Sequence, residues 1–129
     1  MKRFEGKVAL VTGAGGGIGL ATAKRIAEEG GTVVAGLLNE SQRSSIGGLD
    51  AVVLDVRSED AWDSAMDYVS GKHGGLDVLV NNAGISPQAT AEETSWEMWD
   101  DVMAINLKGT FLGCKKGIPL MRKRGGGLG

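Results

Sequence analysis

The residues best suited to chemistry form a glycine-rich segment, Thr12-Gly13-Ala14-Gly15-Gly16-Gly17-Ile18-Gly19. It lies between an apolar run, residues 8–11, and a helical pattern that begins at Ile18. The first turn of a helix presents unpaired backbone N–H groups at the positive end of its dipole, and these groups attract phosphate. The segment therefore predicts a dinucleotide-binding loop, whose candidate contacts are Thr12, Gly13, Gly15, Gly17, Ile18 and Gly19.

A glycine cluster is weak evidence by itself, because the chain contains 22 glycines in 129 residues. A plain structural turn is the alternative interpretation, yet such a turn needs only one glycine in a left-handed conformation. Several successive glycines instead remove every side chain that could block a ligand. With a strand pattern before the segment and a helix pattern after it, phosphate binding is the favoured interpretation.

A second group follows the next predicted strand, from Gly36 to Glu40. Dinucleotide sites usually place an acid about 20 residues beyond the glycine loop, where it binds the ribose hydroxyls. That acid is missing at or near Leu37, and no arginine stands beside it to bind a 2′-phosphate. Arg43 could reach a 2′-phosphate, although a solvated side chain is the favoured interpretation. The choice between NAD and NADP therefore stays open.

Two further groups follow predicted strands, and each has two interpretations. Asp55, which precedes Val56, could accept a hydrogen bond from an adenine amino group, or it could cap the loop before Ser58. The amides of Asn81-Asn82-Ala83-Gly84 could bind a ribose or tie neighbouring strand ends together. The candidate cofactor-binding residues in these groups are Asp55, Val56, Asn81, Ala83 and Gly84.

The elements that must position these groups alternate between strand and helix along the chain. The predicted strands are residues 8–11, 32–38, 51–55 and 76–80, and the predicted helices are residues 18–29, 58–71 and 94–116, with a brief helix or loop at 39–48. Such alternation implies parallel strands joined by right-handed crossovers. We therefore expect an α/β, Rossmann-type doubly wound sheet that binds ligands beyond the carboxyl ends of its strands.

Composition narrows the class of protein and its surroundings. The chain has the length of one domain, 42% hydrophobic residues and a net charge of −2, which gives no general attraction for nucleic acid or anionic membranes. No segment resembles a signal peptide or a membrane span. One cysteine, Cys114, suits a reducing compartment. We therefore expect a cytoplasmic protein with no membrane partner.

Taken together, the motifs resemble the first half of a short-chain dehydrogenase/reductase. The family pattern Thr-Gly-x-x-x-Gly-x-Gly is matched by Thr12, Gly13, Gly17 and Gly19, its Asp-Val by Asp55-Val56, and its Asn-Asn-Ala-Gly by residues 81–84. Asn106 resembles the asparagine of the family's catalytic tetrad. From the residues alone, Asn106 is only a polar residue on a helix. The resemblance implies hydride transfer between NAD or NADP and an alcohol or carbonyl substrate.

The catalytic serine and the Tyr-x-x-x-Lys motif of that family have no acceptable match. Tyr68 and Lys72 have the right spacing, but they lie between the third and fourth predicted strands, before the asparagine motif. In the family, the motif follows the asparagine helix by a further strand. His73 is interpreted as a solvent-facing residue near a helix end, and Cys114 as a small buried residue. No metal-ligand cluster is predicted.

The resemblance covers residues 7 to about 127 and suggests an incomplete domain, cut after the fourth strand and its following helix. An uncovered strand edge and helix face would favour self-association or association with a longer relative. A non-catalytic dinucleotide-binding or interaction module, or a gene fragment, is the alternative. The cations between Lys115 and Arg124 are better explained by a helix end than by nucleic-acid binding.

Overall fold

The computed structural model describes residues 1–126, which contain one parallel sheet of four strands. The strands are β1 (Val8–Val11), β2 (Thr32–Leu37), β3 (Asp50–Val53) and β4 (Val78–Val80), in the spatial order β3-β2-β1-β4. Val11 pairs with Ala35 on one side and with Val80 on the other. The chain places β2 and β3 on one side of β1 and then crosses over to place β4 on its other side. Open α/β sheets bind ligands at such a point, where the strand order reverses. The predicted doubly wound fold is confirmed.

Helices cover both faces of this sheet. They are α1 (Gly17–Glu28), α2 (Glu59–His73), α3 (Trp96–Val102) and α4 (Gly109–Lys123), with a 3-10 helix at Glu40–Ser45 and a π-helical segment at Met103–Lys108 that joins α3 to α4. Leu10 of β1 belongs to a core cluster with Trp62 of α2 and Leu112 of α4. Its neighbour Val11 belongs to the other cluster, with Ile26 of α1. Each face of β1 therefore anchors a different helical layer.

Two helix ends differ from the sequence prediction. The helix α2 continues past Gly71 to His73, where Gly74 closes it at φ 80° and donates its N–H to the Ser70 carbonyl. The last helix continues past Lys116 to Lys123 and includes Pro119. Both Leu112 and Met121 are buried in the core cluster. This packing keeps the segment helical although proline disfavours a helix interior.

The face of the last helices that points away from the sheet is apolar and open. Trp96 is 81% exposed and Phe111 is 59% exposed, while Leu112 of the same predicted helix is buried. The exposed apolar side chains along this face are Trp96, Trp99, Met103, Leu107, Phe111 and Ile118. Within residues 1–126, no helix has the length and apolar character required to cross a membrane.

Three basic residues in and just after α4, Lys115, Lys116 and Arg124, are paired with acids. Lys116 Nζ lies 2.9 Å from Asp63 Oδ1, and Arg124 Nη2 lies 2.8 Å from Asp77 Oδ2. Arg124 also donates to the Gly6 carbonyl at 3.2 Å. These contacts support the structural interpretation of the basic cluster over the nucleic-acid interpretation.

A buried acid ties the amino-terminal segment to the end of α1. Glu29 accepts hydrogen bonds from Arg3 Nη2 and from Arg25 Nε, both at 2.6 Å. These bonds, that from Arg3 first, lower the pKa of Glu29 to about 2. Because the folded pKa lies below the unfolded value, the ion pairs stabilise the fold above pH ~4.3 and this stabilisation is lost as pH falls toward 2.

We expect Glu29→Gln to lower the urea midpoint of unfolding near neutral pH, since glutamine fills the same space without the charge. The difference from the wild type should shrink as pH falls through the interval between about 4.3 and 2. Urea titrations of both proteins at several pH values measure it. A difference that stays constant down to the acid limit would contradict the assigned ion pairs.

Candidate functional site

The carboxyl ends of all four strands open into one cleft of about 460 Å³. Its walls come from the loop after β1, the ends of β2 and β3, the turn after β4 and the π-helical segment. The lining residues are Gly13, Gly15, Gly16, Leu38, Gln42, Leu54, Asp55, Val56, Arg57, Ala83, Gly84, Ile85 and Ile105. The fold therefore brings the four predicted groups to the same edge of the sheet.

Two glycines hold the loop after β1 in a tight path. Gly13 has φ 62°, and a Cβ there would lie 2.9 Å from the Cα of Ala83. A Cβ on Gly19 would overlap the carbonyl oxygen of Gly13 and lie 2.9 Å from its carbonyl carbon. Both positions therefore require glycine, one for its backbone conformation and both for close approach.

The start of α1 is open toward the cleft. Gly16 is its N-cap, and no side chain caps the helix or places an acid in its first turn. The space where Gly16 and Gly17 would carry a Cβ holds no atom within 4 Å, as far as residues 1–126 are concerned. Helix N–H groups and the positive end of the dipole thus face an unfilled cradle, which fits a phosphate group.

A group of hydrogen bonds joins the end of β1 to the turn after β4. Thr12 Oγ1 accepts from the backbone N–H of Asn82 at 3.0 Å and of Ala83 at 2.9 Å. Asn82 Nδ2 donates to the carbonyls of Thr12 and Gly13 at 3.1 and 3.2 Å. Of the two roles left open for the amides, this geometry favours tying strand ends together for Asn82.

The predicted contact residues occupy three different positions. Those lining the cleft are Gly13, Gly15, Asp55, Val56, Ala83 and Gly84. Thr12 and Gly19 are buried behind them, and Gly17 and Ile18 lie at the open start of α1. Asn81 is not part of the described cleft lining, and its Nδ2 lies 4.0 Å from Cys114 Sγ of α4, so its contact with a cofactor stays a prediction.

Asp55 is held by its own loop. Its Oδ1 accepts from the backbone N–H and the Nε of Arg57, both at 3.0 Å, and its Oδ2 accepts from Arg57 Nη2 at 2.8 Å. The guanidinium of Arg57 lowers the pKa of Asp55, so this carboxylate stays ionised at neutral pH. The loop-capping role considered from the sequence is therefore present in the structure.

The end of β2 presents leucine and an amide where an acid was expected. Leu37 is buried, whereas Leu38 is 60% exposed and lines the cleft. Gln42 Oε1 accepts from the backbone N–H of Leu38 at 2.9 Å. Arg43 points elsewhere: its Nε lies 2.8 Å from Glu40 Oε2, and its Nη1 donates to the Ala51 carbonyl at 3.4 Å.

Asn106 bridges the π-helical segment to the turn after β4. Its Oδ1 accepts from the backbone N–H of Ile85, and its Nδ2 donates to the Ile85 carbonyl, both at 2.8 Å. One amide thus satisfies both backbone groups of a residue that lines the cleft. Asn106 therefore positions the cleft wall, a contact that its place on a helix did not predict.

Tyr68 and Lys72 lie far from the cleft, at the amino end of β3. Tyr68 donates to Asp50 Oδ1, Lys72 Nζ lies 3.2 Å from the Tyr68 hydroxyl, and His73 Nε2 lies 2.8 Å from Asp50 Oδ2. The rejection of Tyr68 as a catalytic residue agrees with this placement. His73 ends α2, as its predicted place near a helix end implies, but the prediction that it faces solvent is wrong, because its side chain is only 16% exposed. The contact with Asp50, at the start of β3, holds the His73 ring against the protein.

The lining residues that the sequence did not identify include Gln42, Arg57 and Ile85. None stands in a recognisable motif, and each lies in a loop or short helix whose path depends on tertiary packing. Cys114 is partly rather than fully buried. Within residues 1–126, no cluster of three histidine, cysteine or acidic side chains could hold a metal ion.

Comparison with known proteins places the chain in one protein family. The family model described as short chain dehydrogenase matches residues 7–128. The 3-oxoacyl-(acyl-carrier-protein) reductase FabG of Thermotoga maritima is 41% identical over 97% of this chain and 54% of its own length. The NADP-dependent (R)-specific alcohol dehydrogenase of Lentilactobacillus kefiri is 38% identical over 95% of this chain and 52% of its own.

A solved structure agrees with these sequence matches. The crystal structure of a protein from Sinorhizobium meliloti, described as a short-chain alcohol dehydrogenase, superposes with a TM-score of 0.90 at 30% identity. The match covers 97% of this chain and 53% of that protein. The chain thus spans about half the length of the curated relatives it matches.

Proposed function

Because the chain belongs to the short-chain dehydrogenase family, we propose that it binds a nicotinamide dinucleotide in the cleft at the carboxyl edge of the sheet. The observation that carries this proposal is the uncapped start of α1, where Gly16 and Gly17 leave an open cradle. A pyrophosphate there would accept hydrogen bonds from helix N–H groups and gain from the dipole. In the described part of the chain, no side-chain cap competes with the anion for these N–H groups, and no acid in the first turn repels it.

The other walls suit the remaining parts of the ligand. Asp55 and Val56 would meet the adenine, with the Asp55 carboxylate as an acceptor. Ala83, Gly84 and Ile85 would border the nicotinamide end, held in place by Asn106. When bound, the nicotinamide supplies or accepts a hydride. The role proposed for this chain is to bind and orient that ring.

For the whole protein we propose hydride transfer between NAD or NADP and an alcohol or carbonyl compound. The proton transfer in such a reaction needs a group near the substrate oxygen. Tyr68, the single tyrosine of these 129 residues, lies at the opposite edge of the sheet. We therefore expect binding without turnover from these residues by themselves, with Asn106 as the member of the catalytic set that they contribute.

A binding or interaction module is the second candidate. The open apolar face that includes Trp96 and Phe111 favours it, because such a face is suited to association. A second copy of the chain or a longer relative is the proposed partner. Saturable NADH binding without turnover, together with assembly by the purified chain, would support this function.

We expect Gly16→Asp to weaken dinucleotide binding by at least about tenfold relative to Gly16→Asn, because the introduced carboxylate would repel the pyrophosphate. Both residues are good N-caps and fill the same space, so the fold should remain intact in each variant. Titration of NADH fluorescence gives the two dissociation constants, and circular dichroism checks the fold. Equal affinities in the two variants would contradict pyrophosphate binding at this helix.

A further inference from the structure

The end of β2 carries an arrangement that bears on the choice between NAD and NADP. We infer that Gln42 contacts the 2′ position of the adenosine ribose, and that its uncharged amide lets the cleft accept both dinucleotides with similar affinity. This inference rests on the proposed dinucleotide binding, and it concerns a residue outside the recognised motifs.

The Gln42 side chain spans the space between β2 and the glycine loop. Its Oε1 accepts from the backbone N–H of Leu38 at 2.9 Å, and its Nε2 lies 2.7 Å from the position that a Cβ on Gly15 would take. All three residues line the cleft. An adenosine ribose lying between the loop and the end of β2 would therefore meet the amide of Gln42.

The hydrogen bond to Leu38 determines which part of the amide remains available. A backbone N–H can donate only to the oxygen, so Oε1 is committed and Nε2 keeps its two N–H donors. Those donors suit the oxygen of a ribose hydroxyl and the oxygens of a 2′-phosphate alike. An acid in the same place would accept from the hydroxyl but repel the phosphate.

The charged side chains near this end of the cleft are already paired. Arg57 binds Asp55, and Arg43 binds Glu40. Leu37 and Leu38 supply no polar atom from their side chains. Arg57 also lines the cleft, but from the loop after β3, where Asp55 holds its Nε and Nη2. Among the described lining residues, Gln42 is therefore the polar side chain that the segment after β2 contributes.

The test compares isosteric and charged replacements in the purified chain by titrating NADH and NADPH separately. The wild type should bind the two with dissociation constants within about tenfold of each other. Gln42→Glu can still accept from Leu38, yet it should raise the NADPH:NADH ratio of dissociation constants by at least about tenfold. Gln42→Arg should move the ratio the opposite way, since arginine binds phosphate well.

Ser44→Glu is the matched control, because it adds the same charge to the same 3-10 helix at an exposed position outside the described cleft lining. It should leave the ratio near the wild-type value. An unchanged ratio in Gln42→Glu, an equal shift in Ser44→Glu, or a wild-type preference above about tenfold would overturn the role of Gln42 while leaving dinucleotide binding intact. A wild type that binds neither NADH nor NADPH would instead remove the proposed function itself.

Discussion

Gly19→Ala should destabilise the protein by roughly 3 kcal/mol, because the added methyl group overlaps backbone atoms that cannot move aside. A Cβ at this position lies 2.9 Å from the carbonyl carbon of Gly13 and overlaps its oxygen and the Nδ2 of Asn82. To relieve that overlap, α1 must move away from the loop after β1. Since that movement displaces the phosphate cradle, we also expect loss of measurable NADH binding.

The same substitution at Gly71 provides the control. Gly71 lies inside α2, and a Cβ there meets no atom within 4 Å of the described structure. Because alanine favours helix more than glycine does, Gly71→Ala should stabilise the protein by about 1 kcal/mol. Urea denaturation of the two variants should therefore give shifts of opposite sign. A stable Gly19→Ala that binds NADH normally would refute the close contact.

Thr12→Val should cost about 2–3 kcal/mol, since it leaves a backbone donor without its acceptor while nearly preserving shape. Thr12 is 2% exposed, and its hydroxyl accepts from the N–H of Ala83 and shares that of Asn82 with the Val80 carbonyl. Valine offers no acceptor. The turn that forms one wall of the cleft should loosen, and amide hydrogen exchange at Ala83 should accelerate.

Thr12→Ser separates the hydroxyl from the methyl group. Serine keeps the acceptor and removes one buried carbon, so its cost should be about 1 kcal/mol, with slow exchange retained at Ala83. The free energy of unfolding should therefore decrease from the wild type to the serine variant to the valine variant. The amide exchange rate at Ala83 should increase in the same order. If serine and valine were equally destabilised, packing rather than hydrogen bonding would be the role of Thr12.

Much of the fold follows from local patterns that tertiary packing reinforces. The apolar runs of β1 and β2 are continuous because both faces of a parallel sheet are covered, and this made them recognisable. The start of α2 at Ser58 was equally clear, since its side chain accepts from the N–H of Ala61. The end of α4 was not predicted, because glycine and proline in this segment disfavour a helix. The packing of Met121 in the core, which keeps the segment helical, is not visible in the local sequence.

The residues of the candidate site also differ in whether the local sequence reveals them. Gly13 and Gly19 could be identified because their chemistry is that of the backbone, which glycine spacing reveals directly. Gln42 and Ile85 could not be identified, because their places depend on how the 3-10 helix and the turn after β4 fold over the cleft. The sequence also could not distinguish the two asparagines of the turn after β4: Asn82 contacts the glycine loop, whereas the side chain of Asn81 lies near Cys114 of α4.

The position of β1 in the centre of the sheet also sets an order of assembly. β1 and β2 are separated by one helix, so they can pair early, whereas Val11 must wait for Val80, which is made 69 residues later. Contacts between residues so distant in sequence form slowly, because the intervening chain loses entropy when it closes the loop. During synthesis, the glycine loop therefore emerges long before the turn that Thr12 will anchor, and the cleft gains its wall from that turn only when β4 docks.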